Sequence, residues 1–103
     1  LDALVQPWLG STGKAAFYRQ IAQADERHTD AIEPLLPSVA CPVSIVWGQQ
    51  DTWIPVDRAH TLADRIDGAE LTVVPDAGHL IHLDAPEALT AALLGWLTRV
   101  AAG

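Results

Sequence analysis

Apolar positions along the chain switch between helical and strand-like spacing, and the switches predict the order helix, strand, helix, strand, helix. Residues 11–28, STGKAAFYRQIAQADERH, place Phe17, Ile21 and Ala24 on one stripe, with Ser11 as the expected N-cap. Pro34, Pro37 and Pro42 then leave room for no more than one short helical turn before an extended connector. PVSIVWG, residues 42–48, is a β-branched, near-continuous apolar run closed by Gly48, which suits a strand buried on both faces. Helical spacing returns in VDRAHTLADRI through Ala59, Leu62, Ala63 and Ile66, with Gly68 as its stop. AELTVVP, residues 69–75, reads as a second strand. The last segment, DAPEALTAALLGWLTRVAA, opens with Asp84 as expected N-cap, Pro86 in the first turn and Glu87 three residues after the cap. Its expected buried stripe is Leu89, Leu93, Trp96, Leu97 and Val100.

Two buried strands joined by a helical crossover are expected to be parallel neighbours with a right-handed connection. Both then end on one edge of the sheet, the edge outside which open α/β sheets hold their sites. Asp51 follows the first strand and His79 the second, 28 residues apart in sequence. Topology brings them together. Each alone has a plainer reading: Asp51 capping its own turn, His79 bonded to a nearby backbone carbonyl. Together they suit proton transfer, because an imidazole exchanges a proton near neutral pH and a carboxylate on one ring nitrogen fixes its tautomer.

Composition narrows the function classes. Half of the 103 residues are apolar, enough for a core. Six basic residues against thirteen acidic ones give a formal charge of −7, with no local Lys/Arg cluster, so nucleic acid is not an expected partner. No run is long enough to span a bilayer and no segment resembles a signal peptide, so a cytoplasmic location is expected. A lone cysteine, Cys41, excludes an internal disulfide. His79, His82 and Asp84 lack the spacing of a familiar metal site, and no metal or cofactor is expected. His28, His60 and His82 read as surface residues. No Gly-rich strand-to-helix turn supports nucleotide binding. The chain begins at Leu1 and contains no methionine, as expected of a processed or cut piece of a longer protein.

PVSIVWGQQDTWIP, followed one crossover later by AELTVVPDAGHLIHLDAPEAL, resembles the C-terminal part of the α/β-hydrolase fold. The likeness is to its epoxide hydrolase, haloalkane dehalogenase and carboxylesterase-like members. The resemblance implies an α/β architecture: residues 1–40 as a helical segment connecting a cap to the core, residues 41–103 as the C-terminal βαβα unit. It implies Asp51 as the triad acid and His79 as the triad histidine. It also implies Trp53 and Leu80 as borders of the substrate pocket, for which loop packing is the plain alternative. The family nucleophile belongs on a sharp strand-to-helix turn that the chain lacks: Ser11, in LGSTG, follows no expected strand and has Leu9 two places before it. Ser38 and Ser44 are no better placed. A small-molecule ester, epoxide or carbon–halogen substrate is therefore expected to turn over only when an N-terminal part of the same protein supplies the nucleophile. The isolated chain is expected to be inactive, and to pair with that part or with itself through an exposed sheet edge. The rival expectation is a non-catalytic interaction module using that edge.

Overall fold

The computed structural model describes residues 2–103, which fall into two compact units divided after Pro34. In the first, α1 (Asp2–Val5) leads through a 3-10 turn at Gln6–Trp8 into α2 (Ser11–Ala22). The cap of α2 is the extended Gly10, whose carbonyl accepts from the Lys14 amide at 2.8 Å, so Ser11 is the first helical residue and not the N-cap. The helix stops short of His28. Asp25 Oδ1 accepts from the Arg27 amide at 3.0 Å and Asp25 Oδ2 pairs with Arg27 Nε at 2.9 Å, a local turn that competes with helix propagation. A short α3 (Arg27–Asp30) follows. Trp8 meets Phe17 edge-on, centroids 5.8 Å apart, and Phe17 and Ile21 remain exposed.

A 3-10 turn at Glu33–Ser38 leads into the second unit, Leu35–Gly103. There the chain runs through β1 (Ser44–Gly48), α4 (Asp57–Arg65), β2 (Glu70–Val74), α5 (Ile81–Asp84) and α6 (Pro86–Ala102). The strands form a parallel two-stranded sheet in the register Ser44↔Glu70 to Gly48↔Val74. This is the α/β arrangement that the alternating periods predict. β-branched residues fill both strands, where their stiff side chains pack on a pleated surface. Both α4 and α6 pack on both strands. The buried apolar core is Ile45, Ala59, Ile66, Val74 and Ala77. Arg99 of α6 adds a fork at the start of β2, Nε and Nη2 each 3.1 Å from a Glu70 carboxylate oxygen. No helix among the described residues is long and apolar enough to cross a membrane.

The expected burial fails in two places. β1 has only Ile45 and Gly48 buried, its other residues being half-buried. On α6, Leu89 and Trp96 are half-buried, whereas Leu93, Leu97 and Val100 are exposed by 42%, 52% and 38%. Two strands offer too little sheet to cover so wide a stripe. The N-cap of α6 is Ala85, and the helix has no side-chain cap hydrogen bond. The side chain of Asp84 is engaged elsewhere.

Two glycines have different physical reasons. Gly68 has φ +74, the left-handed conformation needed in the Ile66–Ala69 turn that follows α4 and leads the chain to β2. Gly48 lies against the turn after β2, where a Cβ would collide with the carbonyl oxygens of Gly78 and Ala77 and stand 2.8 Å from the Ala77 carbonyl carbon. Gly68→Ala is predicted to cost about 1–2 kcal/mol of unfolding free energy through backbone strain. Gly48→Ala is predicted to cost about 1–3 kcal/mol or more, because backbone has to move. Urea denaturation of both variants checks the order.

Candidate active site

Both strands run into turns on the same edge, and backbone bonds lock those turns together beyond the sheet. The Gln49 amide donates to Val74 O at 2.9 Å and the Gln50 amide to Ala77 O at 2.8 Å, while Asp51 closes a turn onto Gly48 O. Asp76 takes φ +58 in the second turn, a conformation that aspartate tolerates better than most residues. Trp47 reaches from the end of β1 to donate its indole N–H to Ile54 O at 3.1 Å, pinning the far end of the first loop.

This scaffold places Asp51 and His79 in direct contact: His79 Nδ1 is 2.9 Å from Asp51 Oδ2. An ionised carboxylate can only accept, so Nδ1 carries the proton and donates it. The other ring nitrogen, Nε2, is left to act as a base. Asp51 divides its oxygens between two tasks, since Oδ1 accepts from the amides of Trp53 at 2.9 Å and Ile54 at 2.8 Å. The plainer reading of Asp51 as a loop cap and its pairing with the imidazole thus both hold for one side chain. The Asp51 side chain is 4% exposed and that of His79 35% exposed, so the carboxylate is enclosed and the imidazole reaches outward. Burial alone would push the Asp51 carboxyl up; the bonds from the Ile54 amide, His79 and the Trp53 amide, with the imidazole's charge, hold it below the ordinary value of 3.8.

Trp53 lies over the imidazole, ring centroids 4.6 Å apart and planes inclined by 39°, and is 74% exposed. Leu80, half-buried, precedes α5. A cavity of about 160 Å³ beside the pair is lined by Val46, Trp47, Gly48, Asp51, His79 and Ile81. Ile81 is a wall residue that no sequence motif singles out. His82 is exposed. Asp84, the expected N-cap, turns back instead: its Oδ2 accepts from the Gly78 amide at 2.8 Å, one residue before His79.

A parallel β–α–β unit carrying a carboxylate–imidazole pair at its carboxyl edge defines an α/β protein whose sheet edge is arranged for proton transfer. Residues 2–93 match the alpha/beta hydrolase family, and the chain belongs to that family. It is similar to the putative carbamate hydrolase RutD of Caulobacter sp. (strain K31), 35% identical over 71 residues, covering 69% of this chain and 26% of the relative. It is also similar to monoacylglycerol lipase abhd6-A of Xenopus laevis, 29% identical over 72 residues, covering 68% of this chain and 21% of the relative. A solved α/β-hydrolase-fold protein from Burkholderia ambifaria is 48% identical with a TM-score of 0.81, over 91% of this chain and 36% of that one. The chain thus spans about a fifth to a quarter of the length of these curated relatives.

The depressed pKa of Asp51 fixes the sign of its contribution to stability. That contribution is complete above the unfolded carboxyl value and is lost as pH falls through the lower folded value. The thermal stability of the parent chain is therefore predicted to fall as pH drops below the ordinary value of 3.8. Asp51→Ala is predicted to be less stable at neutral pH and to show a shallower loss in that acid window, measured by melting temperature against pH.

Proposed function

We propose that Asp51 and His79 are the acid and base of a carbonyl hydrolase, acting on an ester or a related acyl compound. The observation that carries this reading is the Nδ1–Asp51 contact at 2.9 Å, which leaves Nε2 of a partly exposed imidazole as the free base. Asp51 orients the ring and stabilises the imidazolium. His79 Nε2 takes the proton of a serine hydroxyl during attack on the substrate carbonyl and returns it to the leaving group; water then repeats the cycle on the acyl intermediate. The serine comes from a strand-to-helix turn in another part of the same protein, because Ser11 begins a helix that no strand precedes among the described residues. The two relatives, a monoacylglycerol lipase and a putative carbamate hydrolase, favour a carbonyl centre over the epoxide and carbon–halogen centres that the sequence alone left open.

Trp53, exposed and tilted over the imidazole, is assigned to the substrate side of the base, and Leu80 to the rim next to it. The apolar side chains Leu93, Leu94 and Leu97 on α6 and the free edges of β1 and β2 are assigned to contacts with that other part of the protein. In the whole protein that carries this chain, His79→Ala and Asp51→Asn are each predicted to lower kcat on p-nitrophenyl esters by about 10⁴-fold or more. Purified residues 1–103 alone are predicted to show no turnover. Esterase activity that survives His79→Ala, or turnover by 1–103 that His79→Ala abolishes, contradicts the reading. A whole protein with no hydrolase activity and a partner bound at the sheet edge would favour the interaction module.

A further inference from the structure

We infer that Asp84 is a positioning residue for the base: it holds the turn that carries His79, through the Gly78 amide, instead of capping the helix it precedes. The inference rests on the reading of His79 as the catalytic base. Three observations support it. Asp84 stands where an N-cap is expected, followed by Pro86 and Glu87, yet α6 has no side-chain cap hydrogen bond. Its carboxylate instead turns back six residues to the Gly78 amide, with Oδ2 at 2.8 Å. Between them α5 folds the chain onto itself, the amides of Leu83 and Asp84 donating to Leu80 O at 2.9 and 3.0 Å. Residues 78–84 therefore form a ring closed by the Asp84–Gly78 bond, with His79 inside it.

The two residues before His79 are thereby anchored to different elements. Ala77 O is bonded to the Gln50 amide on the Asp51 loop. A charge-assisted bond, roughly twice as strong as a neutral one, ties the Gly78 amide to Asp84 at the entry of α6. A Cβ on Gly78 would lie 3.0 Å from Asp84 Oδ2, so glycine lets the carboxylate close directly on the amide. Without Asp84, the turn that carries His79 keeps its backbone bond at Ala77 but loses the one at Gly78, so the direction of Nε2 is held less tightly. Asp84 itself is exposed, so truncating it removes no core contact.

The test compares Asp84→Ala, Asp84→Asn and His79→Ala in the whole protein, by ester-hydrolysis kinetics and by the proton shift of the Gly78 amide. Asp84→Ala is expected to lower kcat by up to about a hundredfold, the penalty for a misplacement near 1 Å, with KM unchanged. The Gly78 amide is expected to move upfield in the same variant. Asp84→Asn keeps an oxygen acceptor and is expected to restore both readouts toward the parent. If Asp84→Ala does not fold, Asp84→Ser, whose hydroxyl is too short to reach the amide, takes its place. Parent-like kcat in Asp84→Ala beside an inactive His79→Ala would overturn the role of Asp84 alone, as would equal losses in the Ala and Asn variants. Activity that survives His79→Ala would overturn the underlying reading and this one with it.

Discussion

The parallel pairing of β1 with β2, in a register that sets Gly48 beside Val74, is the constraint on which the site depends. A parallel pair sends both chains out at the same edge, so the residues that follow must share the space there. Close packing at Gly48 then brings the second turn against the end of β1 with no side chain between them. The bond from Gln50 to Ala77 extends the ladder past the strands and fixes how far apart the two loops stand. Asp51 and His79 meet because backbone groups on either side of them already do.

Electrostatics completes what topology begins. Asp51 is enclosed, which by itself opposes its charge, and three hydrogen bonds restore it. A carboxylate held charged in such surroundings orients the neighbouring imidazole more strongly than one in water, since the local dielectric is lower. The same bonds fold the loop that exposes Trp53. One side chain therefore builds the loop, sets the tautomer of the imidazole and presents the indole over the ring. The Arg99–Glu70 fork acts at the opposite end of β2 and keeps α6 against the sheet while leaving the site edge open.

The strand–helix–strand order and the meeting of Asp51 with His79 were legible in the sequence, because both follow from local period plus the geometry of parallel sheets. What escaped was whatever depends on which partner a side chain finds. Asp84 satisfies the pattern of an N-cap, and only the intervening turn of α5 reveals that its carboxylate points back to Gly78. The α6 stripe reads as core, yet Leu93 and Leu97 stay exposed because a two-stranded sheet cannot cover them. The α2 pattern continues to His28, but the Asp25–Arg27 turn outcompetes it locally. Periodicity reports which face is apolar; it carries no information about how much surface is present to bury that face.

The central claim is that Asp51 holds His79 in the tautomer that leaves Nε2 free. Nitrogen-15 NMR of the imidazole in the whole protein at neutral pH tests it most directly. The account predicts a protonated Nδ1 with a downfield proton, an unprotonated Nε2, and loss of that downfield proton in Asp51→Ala. A proton on Nε2, or an Nδ1 signal that is the same with and without Asp51, would contradict it.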